Sequence, residues 1–169
     1  IKDNGEGKSL GYAGEEALTY SELKESIDKV KDILASYNVN KGDRVALLSS
    51  NMPNWGVSYF AITCMGAVVV PILPDFTNEE ISNVLQHSGA VAIFISNSLV
   101  SKIADFKNES LRLVITIDDF SILSVKDGIS QNKISDTGKS YDVNEDDIAA
   151  IIYTSGTTGK SKGVVLTHK

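Results

Sequence analysis

Cysteine is nearly absent. One residue, Cys64, stands in a chain of 169, which excludes an intramolecular disulfide framework and a multi-cysteine zinc site and fits a reducing compartment. Positive charge is in deficit: 16 Lys and Arg against 22 Asp and Glu, a net charge of −6. A general nucleic-acid binder needs basic patches to meet phosphate backbones, so no nucleic-acid partner is expected. A local basic loop in an acidic chain is still compatible with a small anionic ligand. A membrane-length apolar run is missing too. The longest apolar stretch, Val57 to Leu73, is interrupted by Ser58, Thr63, Gly66 and Pro71 and falls short of the roughly 20 residues that a span needs. It reads as a buried helix followed by a buried strand. No signal peptide is visible, but the chain opens on Ile1, which leaves targeting open. With 42% apolar and 22% charged residues, what remains is an ordinary soluble globular chain of about one domain.

The apolar pattern alternates between two periods. Thr19-Tyr20-Ser21-Glu22 is a capping box, and Leu23, Ile27, Val30, Leu34 and Tyr37 follow at steps of three and four residues, the mark of an amphipathic helix. Arg44 to Ser49 reads as a strand. Pro53 suits the first turn of a second helix, apolar nearly all round, in which Cys64 is expected to be a buried, inert thiol because no cation lies near it in sequence. Ala67 to Leu73 is the next strand. Thr77-Asn78-Glu79-Glu80 caps a third helix that Gly89 stops, with His87 in its last turn as a structural complement to the helix dipole. Val91 to Ile95 and Leu113 to Ile117 read as strands, Ser98 to Phe106 and the neighbourhood of Phe120 to Val125 as short helices. Lys126 to Tyr141 is polar and aperiodic, an exposed connection. Asp142, Glu145, Asp146 and Asp147 read as a solvated acidic turn rather than a metal site. Alternation of strand and helix implies an α/β fold, a mostly parallel β-sheet with helices on both faces, whose ligands bind beyond the carboxyl ends of the strands.

The residues with the sharpest chemistry come almost last. Thr154-Ser155-Gly156-Thr157-Thr158-Gly159-Lys160-Ser161-Lys162-Gly163 holds five hydroxyl residues, three glycines and two lysines, with no carboxylate. An apolar run, Ile148 to Tyr153, leads in, and Val164 to Thr167 leads out. A plain hairpin needs a loop of about two to five residues, so ten of this restricted chemistry suit a grip on a phosphate chain. Two rival phosphate motifs fail on spacing. A Walker A loop ending at Gly159-Lys160-Ser161 would need glycine where Thr154 stands, and would open into a helix rather than the strand-like Val164-Val165-Leu166. Gly138-Lys139-Ser140 fails likewise, with Lys133 in the glycine position, and Gly5-Glu6-Gly7 lacks both the third glycine of a dinucleotide fingerprint and a preceding strand.

Tyr153 to Val164 closely resembles the phosphate-loop signature of the adenylate-forming (AMP-binding) enzymes, which include acyl-CoA synthetases, peptide-synthetase adenylation domains and luciferases. Leu18 to Leu23, Lys41 to Ala46, Asn51 to Trp55 and Gly66 to Pro71 resemble that superfamily's N-terminal segment, in its order. The resemblance spans most of Leu18 to Ser96 and Asp142 to Lys169, and little of Asn97 to Tyr141. Ser161 departs from the proline that many members carry. Together with Leu166-Thr167-His168-Lys169 it points toward the acyl-CoA branch and a fatty acid–CoA ligase, with aryl- or succinylbenzoate-CoA ligases, amino-acid adenylation domains and a non-catalytic phosphate-binding module as alternatives. His168 is divided between a structural role and a place near the acyl site.

The resemblance implies a reaction in which a carboxylate, here a fatty acid, attacks the α-phosphate of ATP bound with Mg2+, and coenzyme A then displaces AMP. It further implies that Ser155, Thr157 and Thr158 donate to the β- and γ-phosphates and that Gly156 and Gly159 admit the backbone to them. Thr154 opens the grip, and Lys160 and Lys162 neutralise it, Lys162 being the preferred direct contact, although spacing leaves open which lysine touches phosphate. No metal ligand and no catalytic side chain is assigned within residues 1–169. The chain is expected to be the N-terminal portion of an AMP-binding domain, cut after the phosphate loop and inactive alone, with a C-terminal domain elsewhere. A cytoplasmic setting, peripheral membrane contact of the full enzyme, and self-association through unpartnered apolar surface near Val164 to Thr167 complete the expectations.

Overall fold

The computed structural model describes residues 4–106, 109–129, 131, 141–154 and 162–169. Helix α1, Tyr20–Ser36, starts where the sequence places a capping box: Glu22 N–H donates to Thr19 Oγ1 at 3.1 Å and Thr19 N–H to Glu22 Oε2 at 2.8 Å. Strand β1, Arg44–Leu48, leads to α2, Pro53–Cys64, with proline in its first turn, and then to β2, Val68–Ile72. Helix α3, Asn78–Ser88, repeats the capping box with Thr77 and Glu80 and ends on Gly89, whose φ of 62° is the left-handed conformation that glycine adopts at no steric cost. Strand β3, Ala92–Ile95, a 3-10 helix at Asn97–Ile103, strands β4, Leu113–Thr116, and β5, Ile122–Val125, and the pair β6, Ile148–Thr154, and β7, Lys162–Thr167, complete the described chain.

The seven strands form one sheet in the order β5-β4-β3-β1-β2-β6-β7. The run from β4 to β6 is parallel, and β5 and β7 close its two ends antiparallel. Because successive side chains of a strand point to opposite faces, β1 sends Val45 and Leu47 to one side and Ala46 and Leu48 to the other. All four are buried, as a central strand covered on both faces requires. The first face packs under α1 and α2, with Leu34, Val57, Ile62, Met65 and Phe94 in one apolar cluster. The second packs under α3 and the 3-10 helix, with Ile81, Val84, Leu85, Ile93 and Tyr153 in another. Each fully buried Leu, Ile or Phe among these contributes about 1.5–3 kcal/mol of transfer free energy. Among the described residues, no helix is long and apolar enough to cross a membrane.

Three expectations are corrected. Phe120 to Val125 is not helical: Phe120 takes φ 61° in a turn whose Ser121 N–H donates to the Asp119 carboxylate at 3.0 Å, and Thr116 N–H meets the Ser121 carbonyl at 2.9 Å. A left-handed residue cannot continue a helix, and the chain folds back as β5 against β4. Cys64 is exposed rather than buried. It follows Phe60 by one helical turn, and Phe60 is exposed as well, so this edge of α2 lies outside the core. The cation missing from its sequence neighbourhood is supplied in space by Lys31. Desolvation still pushes the thiol above its ordinary pKa, Lys31 pulling weakly the other way, so the expectation of an unactivated thiol stands on a different ground. The helix read over Ser98 to Phe106 is shorter and of the tighter 3-10 type.

The acidic turn is tied down. Asp147 accepts from Asn144 N–H at 2.8 Å and pairs with Lys41 Nζ at 2.7 Å, while Lys41 also donates to the Asp142 carbonyl at 2.6 Å. The Lys41 hydrogen bond, aided by the Asn144 amide, holds the Asp147 carboxyl below its ordinary range.

Candidate functional site

Chain order places the switch of direction at β1: the path leaves it toward β2 on one side and returns to β3 on the other. At the carboxyl ends of these two central strands, buried Ser96 donates its Oγ–H to buried Ser49 Oγ at 2.7 Å, and Ser49 donates to the carbonyl of exposed Ser50 at 2.8 Å. These hydroxyls satisfy each other at the usual ligand crevice of such a sheet. Thr154, the described start of the hydroxyl- and lysine-rich segment, lies further along the same edge, at the end of β6.

The two strands flanking that segment are antiparallel partners in a definite register: Thr154 opposite Lys162, Tyr153 opposite Gly163, Ile152 opposite Val164 and Ile151 opposite Val165. Strand β6 runs parallel to β2, with Ala150 opposite Val69, so the hairpin opens at the carboxyl edge. Of the residues assigned to the nucleotide, Thr154 and Lys162 form the last rung and are exposed. Ser155, Gly156, Thr157, Thr158, Gly159 and Lys160 lie outside the described residues, as does Ser161. Thr154 thus meets the lysine preferred as a phosphate contact across one rung, eight positions away in sequence.

The rung beneath pairs Tyr153, which sequence reasoning left without a role, with Gly163, which it expected to release the chain into the next strand. Tyr153 is only 5% exposed, and its hydroxyl lies 2.7 Å from His87 Nδ1 on α3, with the two rings edge-on at 5.7 Å. Burial pushes the Tyr153 phenol above its ordinary pKa, so it remains a neutral O–H. Its ring reaches over Gly163: a Cβ built there would stand 3.3 Å from Tyr153 Cζ and 2.9 Å from Ile151 Cγ2. Counting back from both ends of the segment would have paired Tyr153 with Gly163. Nothing in the sequence joins either to His87, 66 positions away.

His168 is at the opposite end of the hairpin. Its N–H donates to the Asp147 carbonyl at 3.2 Å, beside the Ile148–Thr167 rung, and it borders a cavity of about 510 Å³ shared with Tyr59, Cys64 and Tyr141. Among the described residues, no group of three or more His, Cys, Asp or Glu side chains could hold a metal ion.

A model of the AMP-binding enzyme family matches residues 5–169. The chain is 32% identical over 163 residues to 4-coumarate–CoA ligase-like 2 of Arabidopsis thaliana, covering 90% of this chain and 29% of that protein. It is 31% identical to the crotonobetaine/carnitine–CoA ligase of Escherichia coli, over 89% of this chain and 30% of that one. The solved O-succinylbenzoate coenzyme A synthetase of Bacillus subtilis, in complex with AMP, superposes with a TM-score of 0.76 at 26% identity over 98% of this chain and 40% of that structure. The chain therefore spans about three tenths of the length of these curated relatives.

Proposed function

From a chain that belongs to the AMP-binding enzyme family, the adenylate-forming enzymes, we propose a phosphate grip for ATP at Thr154 to Gly163, serving an acid–thiol ligase whose activity belongs to a longer protein. The observation that carries this is the β6–β7 hairpin, which opens at the carboxyl edge of a parallel sheet with Thr154 and Lys162 facing each other across its last rung. In the proposed reaction a carboxylate oxygen bonds to the α-phosphorus of ATP and pyrophosphate leaves. The thiolate sulfur of coenzyme A then bonds to the acyl carbon, and AMP leaves with the electron pair.

The phosphates carry several negative charges, and such chemistry runs on neutralisation and alignment rather than a side-chain nucleophile. Ser155, Thr157 and Thr158 are assigned as donors to the β- and γ-phosphates, each hydrogen bond to a charged partner being worth about 1.5–3 kcal/mol. Gly156 and Gly159 allow close backbone approach, and Lys160 and Lys162 supply positive charge. Magnesium, where it takes part, is assigned to the nucleotide rather than to a ligand set in this chain.

For the acid, the reading is a fatty acid, on the strength of Ser161 and the Leu166 to Lys169 run. An aryl acid is the second reading, supported by relatives at 30–34% identity named as 4-coumarate–CoA ligases or as a CoA ligase of unspecified acid. The 169 residues alone are proposed to hold phosphate without adenylating an acid. The test is pyrophosphate exchange by the longer protein with a panel of saturated fatty acids and hydroxycinnamates, wild type beside Lys162→Ala. The KM for ATP is expected to rise about tenfold or more, the loss of a charge-assisted contact, with folding intact. Unchanged ATP kinetics remove Lys162 from the site. Exchange supported by hydroxycinnamates and by no fatty acid overturns the fatty acid reading.

A further inference from the structure

We infer that His87 is a positioning residue for the phosphate grip, acting through Tyr153 on the rung directly beneath Thr154 and Lys162. The inference rests on the phosphate reading of the segment, and its geometry stands apart from that reading.

Four observations carry it. Tyr153 is buried and offers a hydroxyl that needs a partner; His87 Nδ1 provides it at 2.7 Å. The Tyr153 ring lies over Gly163, occupying space that a side chain at 163 would claim, so one ring touches both strands of the hairpin on the rung next to Thr154 and Lys162. His87 itself sits on a fixed support. Helix α3 buries Ile81, Val84 and Leu85 against the sheet, and Arg44 of β1 binds its end, Nε donating to the Ser88 carbonyl at 2.9 Å and Nη2 to the Gly89 carbonyl at 3.0 Å. The hairpin is less well held: Val164, Val165 and Leu166 of β7 are 51%, 53% and 47% exposed. A hydrogen bond from a rigid helix to the base of an exposed hairpin sets where that hairpin points. Without it, Thr154 and Lys162 would still pair with each other and β6 with β2, but the last rungs of the hairpin would lose their tie to α3. His87 touches no phosphate in this account, so it is not a catalytic residue. Its effect is on how well the grip is presented.

The variants are His87→Ala, Tyr153→Phe, both together, and His87→Asn, whose side-chain amide stands near the position of Nδ1. Two measurements are made on the longer protein: titration with inorganic tripolyphosphate, and amide hydrogen exchange of the β6 and β7 strands. His87→Ala and Tyr153→Phe are each expected to weaken tripolyphosphate binding about threefold to tenfold, the range of one modest hydrogen bond. The double variant should be no weaker than either single one, and His87→Asn should recover most of the loss. Exchange at Thr154, Lys162 and Gly163 should rise in His87→Ala and fall back in His87→Asn, while the amides of β1 and β3 stay as in wild type. A merely structural loss would raise exchange across the α3 face and would not be recovered by asparagine. Unchanged exchange at the hairpin in His87→Ala overturns the inference, whatever the binding result. A wild-type chain that ignores tripolyphosphate while the exchange pattern appears as described overturns the phosphate reading and leaves the positioning contact supported.

Discussion

Gly163→Ala tests the geometry at the base of the hairpin. The position does not need glycine for its backbone, since Gly163 is not among the glycines with positive φ; it needs glycine for room. An added Cβ would stand 2.9 Å from Ile151 Cγ2, 3.3 Å from Tyr153 Cζ and 3.4 Å from Tyr153 Cε1. The Ile151 methyl is the harder obstacle. It sits on a branched Cβ whose χ1 has few alternatives, so relief requires either a rotamer change or a movement of one strand against the other. Tyr153 could move its ring, but its hydroxyl is held 2.7 Å from His87. Overpacking of this kind costs about 1–3 kcal/mol, and the backbone preference for alanine over glycine returns about 0.5–1 kcal/mol of it. The net expectation is a destabilisation of up to about 2.5 kcal/mol, or a fall in Tm of up to about 10 °C for a chain of this size.

The assay is thermal or urea unfolding of wild type, Gly163→Ala, Ile151→Ala and the double variant. Truncating Ile151 removes Cγ2, so the double variant should be more stable than the sum of the two single losses by about 1 kcal/mol, a coupling that residues in contact show and distant ones do not. Strict additivity, or a Gly163→Ala chain more stable than wild type, would refute the argument that Gly163 is kept for space.

Two further outcomes follow from the same structure. Lys41 lowers the Asp147 pKa below its ordinary 3.8, so this pair contributes stability above the unfolded-state pKa and loses it as pH falls through the folded one. Unfolding midpoints measured from about pH 6 to about pH 3 should show wild type and Lys41→Met converging at the acid end, and a gap that stays constant removes the pair from the acid response. Val164, Val165 and Leu166 are consecutive, so they point to both faces of β7, and all are exposed. A strand bare on both faces at a sheet edge is expected to associate with another copy; light scattering that stays monomeric up to about millimolar concentration, or that is unaltered by Val165→Lys, counts against it.

What could be read from the sequence divides along physical lines. Helices α1 and α3 were legible to the residue at their starts because a capping box is local: Thr19 with Glu22, and Thr77 with Glu80, need nothing from the rest of the chain. The parallel core was legible because strands buried on both faces are continuous apolar runs. Phe120 to Val125 was misread because six residues hold too little period to separate helix from strand, and the deciding feature, the left-handed Phe120, is made by a turn that closes only once β4 is there to receive β5. Cys64 was misread for a related reason. An apolar helix reads as buried all round unless one knows which of its edges the fold leaves uncovered.

The same distinction governs the candidate site. The chemistry proposed for it is local, ten residues of hydroxyl, glycine and lysine. Its support is not local. Tyr153 and Gly163 meet by the register of a hairpin, and His87 reaches them from a helix whose position is fixed by Arg44 on a strand two places away in the sheet. A phosphate-binding run needs its donors held before the anion arrives, because ordering a loop of glycines at the moment of binding would spend much of the interaction energy on entropy. The residues that confer that order are therefore expected outside the motif, on a packed neighbouring element. Here that element is α3, and the side chain that leaves it for the hairpin is His87.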